Sequence, residues 1–81
     1  MAGALSSGDH MRMAQVCRAT GFSARQLRYY DQHGLVVPAR SPGGHRLYSQ
    51  AQVERLRTLA ALLRTGLSLP QAAAALGSTW H

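Results

Sequence analysis

The sequence predicts a mainly α-helical domain, with four helices and a small β-hairpin between the second and third helices. Three observations support this fold class. Apolar residues recur at helical spacing in four segments, a Ser-x-x-Gln pattern opens three of them, and a Pro-Gly-Gly turn separates two short β-prone runs. With 46% apolar and 15% charged residues among 81, the chain can bury one small core, so we expect one domain.

The two ends of the chain lack a periodic pattern. Residues 1–10 are small and polar, and we predict a flexible N-terminal tail there. We assign residues 11–77 to the folded domain and residues 78–81 to a C-terminal tail. The sequence contains neither a recognisable secretory signal nor an apolar run long enough to cross a membrane, which predicts a cytoplasmic protein.

The first predicted helix has an apolar face that contains Val16 and Cys17 and a polar face that contains Arg18. Gly21 interrupts this helix and Ser23 opens the next one, so a short turn with a glycine joins the two. This is a helix-turn-helix arrangement. Cys17 is the only cysteine and has no partner at metal-ligand spacing, so we interpret it as a small core residue.

The second predicted helix carries side chains suited to nucleic acid. Ser23 and Gln26 form a capping box at its start, and Gly34 suits the left-handed residue after its end. A rotation of about 100° per residue places Leu27 and Tyr30 towards the core. It places four polar side chains on the other side: Arg25, Arg28, Tyr29 and Gln32. Such groups bond phosphates and base edges, so this is a candidate recognition helix for the DNA major groove; a solvated polar face is the alternative.

The hairpin is predicted from residues 35–40 and 46–48, which flank the Pro-Gly-Gly turn. An isolated hairpin is marginally stable, so we expect Leu35, Val37 and Tyr48 to anchor it on the helices. The hairpin also carries Arg40, His45 and Arg46. A basic hairpin beside a basic helix is typical of a wing that reaches the DNA backbone, and a solvated connecting loop is the alternative.

The third and fourth predicted helices open at Ser49 and Ser68 with further Ser-x-x-Gln patterns. The third has a broad apolar stripe formed by Val53, Leu56, Leu59, Ala60 and Leu63. Leu62 lies off this stripe. The fourth runs to about Leu76, is rich in alanine, and has Pro70 in its first turn, where the missing N–H costs nothing.

The composition favours a polyanionic partner. All nine basic residues are arginine, three residues are acidic, and the formal net charge is +6. This excess favours nucleic acid or an anionic membrane surface, but the chain lacks the long apolar segment or bulky amphipathic face that membranes require. Its three carboxylates are scattered, and it has no His-x-x-x-His, Cys-x-x-Cys or phosphate-binding glycine loop. We therefore expect no enzyme activity, cofactor or metal.

Four motifs together resemble a known family: Thr20-Gly21-Phe22-Ser23, Leu27-Arg28-Tyr29-Tyr30-Asp31, Gly34-Leu35 and Gly44-His45-Arg46-Leu47-Tyr48-Ser49. In this order and spacing, the chain resembles the N-terminal DNA-binding domain of MerR-type transcriptional regulators over about residues 11–76. The resemblance implies a winged helix-turn-helix whose last two helices form a second wing. It also implies that Arg28 and Tyr29 lie at the DNA, that Arg46 holds a phosphate, and that Tyr30 and Tyr48 are largely structural.

The resemblance further implies the partners of the chain. Regulators of this family bind a pseudo-palindromic promoter as dimers and distort it so that RNA polymerase can use it. We therefore expect double-stranded DNA at a promoter or operator as the partner, together with a homodimer or an assembly on DNA, and RNA polymerase. Typical members continue into a long dimerisation helix and an effector domain or a metal-binding cysteine loop, which these 81 residues do not include.

The predicted DNA-binding residues are Arg18, Arg25, Arg28, Tyr29, Gln32, Arg40, His45 and Arg46. Two alternative functions remain open at this point. The first is an excisionase-like architectural protein that bends DNA without controlling RNA polymerase, because one fold serves both roles. The second is a protein-interaction module in which Leu62 and the last helix bind a partner, although this leaves the polar face of the second helix unexplained.

Overall fold

Seven elements follow one another in the computed structural model, which describes residues 10–77. In chain order they are β1 Met11–Arg12, α1 Met13–Thr20, α2 Ala24–Gln32, β2 Ala39–Arg40, β3 Arg46–Tyr48, α3 Gln50–Arg64 and α4 Leu69–Ala75. The four helices, with a hairpin between α2 and α3, confirm the predicted fold class. Apart from His10, the two predicted tails lie outside the described residues.

A third strand joins the predicted hairpin. β3 lies at the centre of an antiparallel sheet, with β1 on one side and β2 on the other. Met11 pairs with Tyr48, and Ala39 pairs with Leu47. A strand of two residues is too short to show a periodic pattern, so the sequence analysis did not predict β1. The added strand ties the start of the domain to the hairpin, which would be marginally stable alone.

The three predicted capping boxes are present at the starts of α2, α3 and α4. In α2, the Gln26 N–H donates to Ser23 Oγ at 3.1 Å, and the Ser23 N–H donates to Gln26 Oε1 at 2.9 Å. Each box satisfies backbone donors that have no partner inside the helix, and a good cap contributes about 1 kcal/mol to stability. The capping residues therefore define where these helices begin.

The turn between α1 and α2 depends on Thr20 and Gly21. Gly21 adopts a left-handed φ of +84°, which favours glycine over residues with a Cβ, and its N–H donates to the Cys17 carbonyl at 2.8 Å. The buried Thr20 hydroxyl donates to the Val16 carbonyl at 2.7 Å and accepts from the Phe22 N–H at 3.2 Å. These bonds set the direction in which α2 leaves α1.

One core joins the helices and the sheet. Its largest fully buried side chains are Tyr48, Leu27, Leu56, Leu59, Val16 and Val53. The predicted stripe of α3 faces this core, with Leu63 half-buried, and Leu62 also packs against the edge of the core. Ala72 and Ala73 of α4 are fully buried, as the small side chains of a closely packed helix should be. None of the helices within residues 10–77 has the length and apolar character needed to cross a membrane.

The predicted hairpin anchor at Val37 is wrong. Val37 is 55% exposed, whereas Leu35 and Val36 are each 4% exposed. The chain leaves α2 in a bend at residues 35–36, so two consecutive side chains point inwards instead of alternating as they would in a strand. Val37 contributes its backbone instead, because its carbonyl accepts from Gln52 Nε2 at 2.7 Å.

Two core tyrosines should make the fold sensitive to alkaline pH. Burial raises the pKa of Tyr30 and of Tyr48 above the ordinary value of 10.0. The unfolded chain therefore loses these protons first, so the free energy of unfolding is at its full value below about pH 10 and falls above it. The slope should not exceed about 1.4 kcal/mol per pH unit for each tyrosine. Urea unfolding at a series of alkaline pH values measures it.

Phenylalanine variants isolate this effect. The buried Tyr48 hydroxyl has no hydrogen-bond partner among the described residues, so Tyr48→Phe should leave stability at neutral pH unchanged or slightly increased. Combined with Tyr30→Phe, it should flatten the alkaline loss, whereas Tyr29→Phe removes only an exposed hydroxyl, whose contribution to the raised pKa of Tyr30 is smaller than that of burial, and should reduce the loss slightly. An equally steep loss in the double variant would refute the prediction.

Candidate nucleic-acid interface

The outer face of α2 gathers four of the predicted contact residues. All four side chains are exposed, while Leu27 and Tyr30 on the opposite side are 1% and 3% exposed. The four are Arg25, Arg28, Tyr29 and Gln32. With Gln26, Tyr30 and Leu69 at the start of α4, they line an open groove of about 670 Å³. No carboxylate is among these lining residues, so the groove presents guanidinium, amide and phenol groups to a ligand.

Aromatic contacts hold the exposed Tyr29 ring. Its centroid lies 4.2 Å from that of His33 and 6.2 Å from that of Tyr30. Tyr30 in turn packs edge-to-face against Phe22, with centroids 5.1 Å apart and an interplanar angle of 77°. A continuous set of ring contacts therefore links the outer face of α2 to the helix-turn-helix turn. This contact of His33 was not predicted from the sequence, although a spacing of four residues from Tyr29 predicts contact on a helix.

Asp31 joins α2 to the hairpin. Its Oδ2 accepts a hydrogen bond from Arg46 Nε at 2.9 Å and lies 3.6 Å from Arg40 Nη2. The side chains of Asp31 and Arg46 are 13% and 20% exposed, whereas that of Arg40 is 53% exposed. We call these three residues the Asp31 cluster. This role of Asp31 was not predicted from the sequence, because Arg46 lies 15 residues away and the pair leaves no local pattern.

The turn of the hairpin has its own hydrogen bonds. The Gly44 N–H donates to the Ser41 carbonyl at 2.8 Å, and the Ser41 N–H donates to the His45 carbonyl at 2.8 Å. Gly44 adopts a φ of +85°, as the predicted glycine turn requires. Arg40 Nη1 donates to the Gly44 carbonyl at 3.3 Å, so the Arg40 guanidinium spans both Asp31 and the turn. His45 is exposed beside this turn.

Arg18 lies apart from the groove. It is exposed in the last turn of α1, where a cation complements the helix dipole. The structure thus groups four predicted residues on α2, links Arg40 and Arg46 to that helix through Asp31, and leaves Arg18 and His45 outside the groove lining. The DNA contact assigned to each of these residues stays a prediction.

Three other charged residues with contacts in the described chain lie on α3. Arg55 Nη1 donates to the Leu76 carbonyl at 3.1 Å, which ties α3 to the end of α4. Arg57 lies 4.0 Å from Glu54 on the exposed side of α3. Within residues 10–77, no three His, Cys, Asp or Glu side chains converge as the ligands of a metal ion would.

Comparisons with known proteins place this geometry in context. A family model described as "MerR HTH family regulatory protein" matches residues 11–79. The HTH-type transcriptional regulator GlnR of Bacillus anthracis is 46% identical over 50 residues, which are 62% of this chain and 39% of that protein. The HTH-type transcriptional regulator CueR of Vibrio cholerae is 36% identical over 67 residues, which are 82% of this chain and 48% of that protein.

A solved structure shows the same fold. The crystal structure of a MerR-family transcriptional regulator from Bacillus cereus superposes with a TM-score of 0.80 at 26% sequence identity. The match covers 85% of this chain and 52% of that chain. The present chain therefore spans about half or less of the length of these relatives.

Proposed function

Because this chain belongs to the MerR family of helix-turn-helix regulatory proteins, we propose that it binds double-stranded DNA at a promoter or operator and regulates transcription. The observation that carries this proposal is the outer face of α2, where two arginines, a tyrosine and a glutamine stand exposed above a buried apolar face. An α-helix with such side chains fits the major groove of DNA. The names of the relatives, which are transcriptional regulators, support it.

Each side chain has a proposed task. Arg25 and Gln32 read base edges, because a guanidinium pairs well with guanine and a carboxamide with adenine. Arg28 and Tyr29 hold the DNA backbone and orient the helix. Contacts to phosphates further along the duplex come from the hairpin residues Arg40, His45 and Arg46 and from Arg18 on α1.

Four parts of the proposal concern the whole protein. We propose that two copies of the protein bind one pseudo-palindromic site and that this complex acts on RNA polymerase. The protein itself has no catalytic activity and works in the cytoplasm. The relatives favour this regulatory role over the excisionase-like alternative, which would use the same fold and the same face of α2. Leu62, which the interaction-module alternative requires to be open, packs against the core.

Substitutions on α2 test the assigned tasks. A reference duplex is selected by the chain from a random-sequence pool, and single base-pair variants of it are compared by fluorescence anisotropy. Arg28→Ala should weaken binding about tenfold on every duplex, because a phosphate contact carries no sequence information. Gln32→Ala or Arg25→Ala should cost about 1–3 kcal/mol on the selected duplex and relax preference at one base pair.

The matched control is Arg57→Ala, which removes the same charge from the exposed side of α3. It should weaken binding less than Arg28→Ala and without any change in base preference. If Arg25, Arg28 and Gln32 variants all lose affinity equally on every duplex, α2 is not the helix that reads the sequence.

A further inference from the structure

We propose that Asp31 is a positioning residue whose carboxylate holds the hairpin arginines in place beside α2, so that an acidic side chain strengthens DNA binding. This inference rests on the proposed function, because it concerns how the same face is assembled. It gives Asp31 a role opposite to the one its charge alone would suggest, since a carboxylate near DNA repels phosphate.

The register of the sheet creates the need for such a residue. Arg40 on β2 and Arg46 on β3 are directly paired across the two strands. Like charges in this arrangement destabilise a sheet. Asp31 Oδ2 lies within 4 Å of both guanidinium groups, at 2.9 Å from Arg46 Nε and 3.6 Å from Arg40 Nη2. One carboxylate therefore offsets the repulsion between two arginines that occupy adjacent strands.

Burial makes the contact with Arg46 the more specific of the two. Both partners are mostly shielded from water, at 13% and 20% side-chain exposure, and the bond length of 2.9 Å is that of a charge-assisted hydrogen bond. The bond uses Nε, which leaves the terminal guanidinium nitrogens of Arg46 to donate to a ligand. Asp31 can thus hold Arg46 at Nε while the terminal guanidinium nitrogens of Arg46 contact a phosphate.

The position of Asp31 in α2 fixes the geometry of the whole face. It lies three residues after Arg28 and one before Gln32, in the last turn of the helix. A displacement of the hairpin relative to α2 would separate the phosphate contacts from the base contacts. A duplex is rigid, so the phosphate contacts and the base contacts must have the correct spacing at the same time. A face that already has this spacing before binding loses less free energy on binding.

The test compares two variants that each remove one negative charge. Asp31→Ala and Glu54→Ala both raise the formal net charge from +6 to +7, and Glu54 is exposed on α3, where its carboxylate contacts Gln50 and Arg57 of the same helix. On the selected duplex, Glu54→Ala should bind as tightly as the parent or slightly more tightly. Asp31→Ala should bind about tenfold more weakly, and its slope of log K against log salt should be shallower by about one.

Two further variants separate positioning from loss of stability. Leu59→Val removes one buried methylene from the core side of α3, so it provides a destabilised protein with an intact Asp31 cluster. All variants are compared at a temperature at which thermal unfolding shows them folded. Leu59→Val should keep the parent salt slope under these conditions. Asp31→Asn, which retains an acceptor oxygen for Arg46 Nε, should bind more tightly than Asp31→Ala.

A double-mutant cycle tests whether Asp31 affects DNA binding through Arg46. If Asp31 acts through Arg46, Asp31→Ala should have little further effect in an Arg46→Gln background. If Asp31→Ala binds the selected duplex as tightly as the parent or more tightly, the inference is wrong. Asp31 would then only reduce the positive charge of the face. If the parent itself binds no duplex at low salt, the proposed function fails, which is a different result from the failure of this inference.

Discussion

The affinity of this chain for duplex DNA is expected to fall about a hundredfold when salt rises from about 50 to 200 mM. Nine arginines give the chain a formal net charge of +6, and those of α2 and the hairpin are assigned to the DNA. If Arg18, Arg28, Arg40 and Arg46 each neutralise one phosphate, released counterions produce a slope of about −3.6 for log K against log salt, and a fourfold rise in salt then costs about a hundredfold.

Sedimentation velocity with a labelled duplex measures this dependence and the stoichiometry together. Arg28→Ala should make the slope shallower by about one, whereas Glu54→Ala should leave it unchanged. Two chains on each duplex would support assembly on DNA. A slope near zero would mean that phosphates contribute little to binding, and the assignment of the basic face to DNA would then fail.

Leu27→Ala should lower the free energy of unfolding by about 2–5 kcal/mol. Leu27 is 1% exposed and is among the largest fully buried side chains, so its truncation leaves a cavity beneath α2. Globular proteins are stable by about 0.05–0.15 kcal/mol per residue, which is roughly 4–12 kcal/mol for a chain of this length. The loss is therefore a large fraction of the total and should be evident in urea unfolding followed by circular dichroism.

The adjacent residue provides the matched control. Arg28→Ala changes an exposed side chain on the same helix and should alter stability by no more than about 0.5 kcal/mol, while weakening DNA binding. Saturating duplex should restore part of the stability of Leu27→Ala, because a ligand that binds only the folded state stabilises it. An unchanged urea midpoint for Leu27→Ala would show that α2 is not anchored through this residue.

These two predictions divide α2 into an inner face for folding and an outer face for binding. The division follows from helical geometry, because residues 27 and 28 differ by about 100° around the helix axis. It also explains why the pattern of polar residues at 25, 28, 29 and 32 could be interpreted from the sequence. An amphipathic helix that buries its apolar side in a small core has only one favourable rotation about its own axis.

The individual residues of the candidate site could be predicted from the sequence, but the contacts that join α2 to the hairpin could not. Residues Arg25, Arg28, Tyr29 and Gln32 do share one exposed face, as periodicity indicated. Arg40 and Arg46 were predicted as hairpin cations, but the contact of Asp31 with both was not. An ion pair between residues 15 positions apart has no signature in local sequence, and it becomes visible only when the hairpin folds back on α2.

The sequence by itself determined the starts of α2, α3 and α4, the glycine turns and the orientation of α2. The reason is physical: a capping box joins residues three apart, a left-handed glycine needs no distant partner, and helical facing repeats about every 3.6 residues. Only the tertiary structure decided that β1 is a strand, that Val36 and not Val37 is buried, and that Asp31 binds Arg46. Each of these depends on pairing or packing between residues that are distant in the chain, which local propensity does not encode.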